Sequence, residues 1–184
     1  MEVIALGVRA SLGLIFVVAG AVKLTAPDRF ARAIGAYGLL PRRAIPVLAR
    51  VLPLLEIATG TLLLARPAAG LAALAAAALL AGFAVAVALN LARGRRFDCG
   101  CAGLSGSRTI SWTLVARNVL LAGAATFVAV VELAAAPEGP RAPSPTAEML
   151  PVMVTAWTAT VLVAPLGETA RLARRLDHVI GGRG

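Results

Sequence analysis

The stretch AAGLAALAAAALLAGFAVAVALNLA (residues 68–92) decides the fold class of this chain. It is rich in alanine and leucine and contains no charged side chain. An α-helix rises 1.5 Å per residue, so about 20 apolar residues are enough to cross the hydrocarbon core of a bilayer. The stretch therefore predicts a membrane-spanning helix.

The composition of the whole chain also indicates a membrane protein. Of its 184 residues, 59% are hydrophobic, and the mean hydropathy is +0.86. Soluble domains are only about 45–50% apolar. Apolar runs recur along the chain, which predicts one domain embedded in the lipid bilayer and no separate soluble domain. The net charge of +9 is then explained by membrane topology, and nucleic acid is not expected as a partner.

Four further apolar runs are long enough to span the membrane. They lie at about residues 5–25, 44–65, 110–135 and 149–166, and the last of them is the shortest. The predicted fold class is all-α. We expect a polytopic transmembrane helical bundle, with a four-helix core and a fifth transmembrane helix.

The chain divides into three predicted parts. Residues 1–136 form the four-helix membrane core, and residues 137–148 (PEGPRAPSPTAE) form a proline-rich linker without apolar periodicity. Residues 149–184 comprise the fifth transmembrane helix and a basic amphipathic tail. Within the core, PDRFARAIGAYGLLPRR (27–43) sets apolar side chains against four arginines, which predicts a short amphipathic helix at the lipid headgroups.

Basic residues are distributed unevenly between the two sides of the predicted bundle. Of the eighteen lysines and arginines, Arg9, Arg66 and Arg141 fall on one side and the remaining fifteen on the other. Positively charged loops are retained in the cytoplasm. The count predicts a multi-pass protein of the inner (cytoplasmic) membrane, with its N-terminus outside. The C-terminus and the loop after the third span are then cytoplasmic.

That loop, NLARGRRFDCGCAGLSGSRTISW (90–112), contains both cysteines of the chain, Cys99 and Cys101. Residues two apart can bring their Cα atoms to the roughly 4.4–6.8 Å that a disulfide needs. Gly100 supplies the backbone freedom for closure. So small a ring is strained, and strained, exposed disulfides are the labile and catalytic ones. The pair is thus a candidate catalytic dithiol.

Two other interpretations of the cysteine pair remain open. Two thiolates can hold a soft metal such as Cu(I). Zinc would need four ligands, and only the distant His178 could add one. The pair could also be small buried residues without chemistry. We prefer the redox interpretation and predict no metal site.

The surroundings of the cysteines favour thiolate chemistry. The loop is electropositive because of Arg93, Arg95, Arg96 and Arg108, and it leads into the N-terminus of the fourth span. Positive charge and a helix N-terminus both stabilise a thiolate. Asp98 opposes this effect locally or handles a proton during exchange. Topology alone explains the arginines equally well.

Several polar residues are predicted to lie within the membrane spans. Glu56 is about twelve residues into the second span, roughly 18 Å along the helix. A carboxylate there is costly unless it is paired or functional. The predicted partners are Arg117 and Asn118 in the fourth span, and Asn90 and Lys23 at helix ends could join them. A structural pair is preferred, with a proton or quinone role and a neutral acid as alternatives.

Five stretches of the chain together resemble the MauE family, within the wider DoxX-like group of small redox-associated membrane proteins. They are FVVAGAVKLTAPDRF, AYGLLPRR, LPLLEIATGTLLL, NLARGRRFDCGCAG and ISWTLVARN, between residues 16 and 118. Their combination is specific, whereas a C-x-C pair alone is not. Ala102 stands where the family pattern has an aromatic residue, which leaves the dithiol intact. The fifth span lies beyond the four-helix core of the family.

The resemblance implies a helical bundle like those of DsbB and vitamin K epoxide reductase. It also implies a role in methylamine utilisation, where the family supports disulfide formation and maturation of methylamine dehydrogenase alongside a thioredoxin-like partner. Carried over, Cys99 and Cys101 would be the redox pair. We expect a membrane thiol–disulfide redox protein, either an oxidoreductase or its accessory subunit, with a quinone as a candidate electron acceptor. A membrane protein that binds soft metals or small sulfur species and a structural membrane subunit are the alternatives.

The resemblance and the charge count differ on one point. Periplasmic disulfide formation suggests thiols that face outward, whereas the arginines place the cysteine loop in the cytoplasm. A relay to a cytoplasmic partner, or a different substrate, would reconcile the two. The charge count is taken as the guide to orientation.

Overall fold

Four of the predicted spans are helices in the computed structural model, which describes residues 2–65, 68–97 and 109–134. The five α-helices are α1 (Glu2–Thr25), α2 (Pro27–Tyr37), α3 (Ile45–Ala65), α4 (Ala69–Ala92) and α5 (Trp112–Ala134). All but α2 are long and apolar enough to cross a bilayer. The chain is therefore a multi-pass membrane protein, and its described part is an all-α bundle, as predicted. The proposed fifth span, the linker and the tail lie outside the described residues.

The four long helices pack as two close pairs. α1 packs mainly on α3, and α4 packs mainly on α5, while α3–α4 and α1–α5 contacts join the pairs. Alternating chain direction brings the ends of α1 and α4 and the starts of α3 and α5 to one end of the bundle. We call this the α2 end, because α2 connects α1 to α3 there.

Small side chains in the centre of the bundle allow the helices to approach closely. Ala73, Ala76 and Ala125 are fully buried in a cluster that also receives Phe16 from α1 and Leu63 from α3. In a bilayer, lipid tails are as apolar as the core, so helices associate through close packing rather than through the hydrophobic effect. Large apolar side chains are therefore found on the outer surface of the bundle as well as in its centre.

The amphipathic segment is confirmed as a helix, although a shorter one than the pattern suggested. Phe30 and Ile34 of α2 are buried against α3, and Arg32 is exposed. The helix ends at Gly38, whose φ of 62° lies in the left-handed region that glycine adopts at helix C-termini. After Pro41, Arg42–Ala44 form one 3₁₀ turn before α3.

One of the three basic residues assigned to the sparsely charged side does not lie in a loop. Arg9 is inside α1 and only 4% exposed, and its Nε is 3.5 Å from a carboxylate oxygen of Glu132 in α5. It therefore acts as a buried contact between two helices.

Candidate functional site

A buried ion pair joins α1 to α3 near the α2 end. The Lys23 ammonium donates to both carboxylate oxygens of Glu56, at 2.5 and 2.6 Å. The side chains are only 7% and 3% exposed. A carboxylate this deep is retained because the ammonium compensates its charge.

Glycines allow the two helices to approach closely enough for this pair to form. A Cβ atom on Gly20, one turn before Lys23, would lie 2.6 Å from the Pro53 carbonyl oxygen. A Cβ atom on Gly60 would lie equally close to the Gly13 carbonyl oxygen. Both distances are far below a normal contact, so larger residues would push α1 and α3 apart and separate the charges.

Two aromatic rings complete the surroundings of the Lys23 ammonium. The centroids of Phe30 in α2 and Phe83 in α4 lie 5.5 and 5.3 Å from Nζ, within the range of cation–π attraction. A single ammonium thus contacts side chains from three other helices. It holds α2 against the bundle as well as pairing α1 with α3.

The preferred partners of Glu56, Arg117 and Asn118, were therefore wrong, whereas Lys23, which was expected only to join them, is the partner. Arg117 is exposed on α5, and the carboxylate of Glu56 binds Lys23 instead. Asn118 is buried, 6% exposed, and among the described residues it forms no hydrogen bond with Lys23 or Glu56. The register of the helices explains the difference. Glu56 lies eleven residues after the start of α3 and Lys23 only two before the end of α1, so α3 begins roughly 13 Å further out.

A second polar cluster lies at the α2 end, around Arg95. Its guanidinium donates to the carbonyl oxygens of Ala36 and Tyr37, at 2.9 and 3.0 Å, and to Asn90 Oδ1 at 3.1 Å. Asn90 is completely buried and donates through Nδ2 to the Ala86 carbonyl oxygen. Arg95 thereby satisfies two carbonyls at the C-terminus of α2 and joins that end to α4.

Gly38 makes room for this arginine. A Cβ atom at Gly38 would lie 2.9 Å from Arg95 Nη1. The same residue needs a positive φ, so glycine meets two requirements at this position.

The segment that carries the cysteines begins and ends at this cluster. The Phe97 ring packs edge-on against Tyr37, with centroids 4.9 Å apart, and Arg95 lies 5.7 Å from the Phe97 ring centroid. The Ile110 amide donates to the Phe97 carbonyl oxygen at 2.9 Å, and Ile110 is buried. Phe97 and Ile110, which flank the cysteine segment, therefore lie together beside the C-terminus of α2.

Two of the predicted site residues lie in the polar clusters described above. Asn90 lies at the base of the cysteine segment, and Glu56 lies in the ion pair with Lys23. Asp98, Cys99, Gly100 and Cys101 lie outside the described residues. Within residues 2–65, 68–97 and 109–134, no three His, Cys, Asp or Glu side chains come close enough to share a metal ion.

Sequence reasoning missed the positional role of Arg95, which it treated only as a source of charge. It also missed Tyr37 and Phe97 as the aromatic contact that seats the segment. The available signal was Gly38 directly after Tyr37, which marks a helix end with exposed carbonyls that a cation can satisfy.

Comparison with known proteins places the chain in a family. The family model for methylamine utilisation protein MauE matches residues 1–131. The methylamine utilization protein MauE of Paracoccus denitrificans is 42% identical over 130 residues, which are 70% of each chain. The protein of the same name from Paracoccus versutus is 40% identical over 132 residues, 71% of each chain. That of Methylophilus methylotrophus is 39% identical over 128 residues, 67% of each.

No solved structure matches this chain significantly. The matched residues contain all five described helices and the cysteine segment, apart from the last three residues of α5. The four-span bundle, the Lys23–Glu56 pair and the Arg95 cluster are thus features of the matched region, and the chain belongs to the MauE family.

Proposed function

We propose that this chain is a membrane thiol–disulfide redox protein that acts in methylamine utilisation through Cys99 and Cys101. The dithiol exchanges electrons with a thioredoxin-like partner and supports the maturation of a further protein. The observation that carries the proposal is the anchored segment at the α2 end. Both thiols of the chain lie between Phe97 and Ile110, whose backbones are hydrogen bonded.

The exchange needs no group beyond the two thiols and the partner. A thiolate of one protein attacks the disulfide of the other and forms a mixed disulfide. The second thiol of the attacking protein then displaces the partner. One dithiol loses two electrons and two protons as it becomes a disulfide, and the other disulfide gains them. The proposed exchange requires the sulfurs to be accessible to a protein that arrives from the aqueous phase.

The arginines before the cysteines have different roles in this proposal. Arg95 is committed to backbone carbonyls and to Asn90, so it positions the segment. Arg93 and Arg96 are exposed and provide positive charge beside the thiols. Such charge stabilises the thiolate that reacts.

The orientation proposed for the protein follows from its loop charges. The segment after α1 and the cysteine segment share the α2 end, because Arg95 binds the C-terminus of α2. The basic residues concentrate there, which favours a cytoplasmic location for this end and an external N-terminus in the cytoplasmic membrane.

A membrane-impermeant maleimide tests this orientation in intact cells. We expect Cys99 and Cys101 to remain unlabelled until the membrane is permeabilised, because the reagent cannot reach the cytoplasmic side. Labelling from outside at the rate seen after permeabilisation would reverse the proposed orientation. The Cys99→Ser/Cys101→Ser variant provides the background signal.

Trapping of the mixed disulfide tests the proposed exchange. A Cys101→Ser or Cys99→Ser variant retains one thiol and lacks the second, so one of them should accumulate a covalent complex. Acid quenching, alkylation and a non-reducing gel would reveal the complex, and mass spectrometry would identify the partner. We expect a protein with a C-x-x-C motif and a thioredoxin fold.

The double serine variant is the matched control for trapping, since it has the same fold and no thiol. A covalent complex absent from both single variants, or present equally in the double variant, would contradict the proposed exchange. A reductant should cleave any complex that is held by a mixed disulfide.

A further inference from the structure

An apolar groove lies between α2, α3 and α4 and reaches Tyr37, whose ring also packs against Phe97. Phe30 and Ile34 line it from α2, Leu48 from α3, and Phe83 and Ala86 from α4. The groove is open on one side and holds about 100 Å³ of space. Its walls are almost wholly apolar, so it favours hydrocarbon over any polar ligand.

The groove lies beside an amphipathic helix of the kind that rests at the lipid headgroups. α2 buries Phe30 and Ile34 and exposes Arg32, so its polar face belongs at the aqueous surface. An occupant whose tail fills the groove therefore has its head at the membrane surface. A phospholipid has this geometry.

Positive charge lies in the short stretch of chain that joins two groove-lining residues. Leu40 and Leu48 both line the groove, and the chain between them contains the exposed residues Arg42 and Arg43. These arginines lie on a 3₁₀ turn directly before α3. Basic residues at the surface attract anionic lipid headgroups, and an arginine guanidinium binds phosphate oxygens well.

The Lys23–Glu56 pair behind the groove does not offer a polar contact to its occupant. Lys23 is only 7% exposed, and the rings of Phe30 and Phe83 lie beside its ammonium as well as on the groove wall. The space takes only part of an acyl chain, and the open side lets the rest of the chain continue along the surface of the bundle. These features favour a run of methylene groups over a ring that carries carbonyl groups, such as a quinone.

We infer that this groove binds one acyl chain of an anionic phospholipid, whose phosphate is held by Arg42 and Arg43. The lipid seals the gap between α2 and the two membrane helices and fixes α2 at the membrane surface. This inference is independent of the chemistry of the cysteines.

Lipid retention by the full chain tests the inference. The purified protein is equilibrated with equal amounts of dioleoyl phosphatidylglycerol and dioleoyl phosphatidylcholine, and bound lipids are counted by native mass spectrometry. We expect one retained lipid, with phosphatidylglycerol preferred. The Arg42→Gln/Arg43→Gln variant should lower this preference about thirtyfold, because each basic residue contributes about fivefold.

Two further variants separate the arginines from the groove. Arg117→Gln removes one charge from an exposed residue of α5, which does not line the groove, and should leave the preference unchanged. Ala86→Leu fills the groove and should lower retention of both lipids while the preference remains. The arginine variants change exposed residues outside the core, so their unfolding temperature should match that of the wild type.

Several results would overturn the inference. Equal retention of the two lipids by the wild type would remove the role of the arginines. Unchanged retention in Ala86→Leu would show that the tail lies elsewhere. Displacement of phosphatidylglycerol by decylubiquinone at an equal concentration would instead identify a quinone site.

Discussion

Glu56→Ala is expected to destabilise the bundle by about 3–5 kcal/mol, which is the usual cost of removing one partner from a buried ion pair. The substitution leaves the Lys23 ammonium buried without its carboxylate, between the rings of Phe30 and Phe83. Thermal and denaturant unfolding in detergent would measure the change. A variant as stable as the wild type would contradict the observed pairing.

Two comparison variants make this result specific. Arg117→Ala should have little effect, because Arg117 is exposed and does not bind Glu56. The double variant Lys23→Leu/Glu56→Leu should regain most of the lost stability, since replacing both charges with apolar residues leaves neither unpaired. If Arg117→Ala were as destabilising as Glu56→Ala, the partner inferred from the sequence would be the true one.

Arg95→Ala is expected to release the base of the cysteine segment without unfolding the bundle. The variant loses the hydrogen bonds to Ala36, Tyr37 and Asn90, while the buried helix contacts remain. A hydrogen bond from a charged donor contributes about 1.5–3 kcal/mol to stability. The bonds to Ala36 and Tyr37 are exposed to solvent, which lowers their contribution. We therefore expect amide exchange around residues 36–38 and 97 to accelerate about tenfold, with a nearly unchanged unfolding temperature.

Two arginine variants distinguish position from charge at this cluster. Arg93→Ala removes the same charge from an exposed residue nearby, and amide exchange should stay slow. Arg95→Lys keeps the charge, but its single ammonium lacks the planar fork of donors that reaches three acceptors. Equal acceleration in Arg93→Ala and Arg95→Ala, with full rescue by lysine, would show that Arg95 acts only through its charge.

The positions of the spanning helices follow from local sequence. The predicted span at residues 44–65 is the helix Ile45–Ala65, and that at 68–92 is Ala69–Ala92. The apolar runs that a bilayer requires are long, and charged or proline-containing segments end them, so their limits can be read directly. The end of α2 was harder to predict from the sequence. The left-handed backbone at Gly38 ends the helix, although apolar and basic residues continue to alternate beyond it.

The contacts between helices could not be read in the same way. Lys23 and Glu56 are 33 residues apart, and they meet because α3 begins well beyond the end of α1. Arg117 was preferred from the sequence because its long side chain also lies within a predicted span. Arg95 binds residues 58 and 59 positions away, through a helix end that only the folded chain exposes.

The role proposed for the cysteine pair rests on thiol chemistry rather than on contacts in the structure. The structure describes the residues on both sides of it, and the proposed exchange depends on a couple between Cys99 and Cys101. Mutation of the positioning residues would alter the rate of exchange, whereas loss of either sulfur should abolish it.

A redox titration of the purified chain tests whether Cys99 and Cys101 form a redox couple. The protein is equilibrated in buffers of defined glutathione or dithiothreitol potential, its free thiols are alkylated, and mass spectrometry counts them. We expect one reversible two-electron transition, in which both thiols disappear together, and we expect Cys99→Ser and Cys101→Ser to lack it. Two thiols that stay reduced at every potential, or that bind Cu(I) without any such transition, would contradict the proposed exchange.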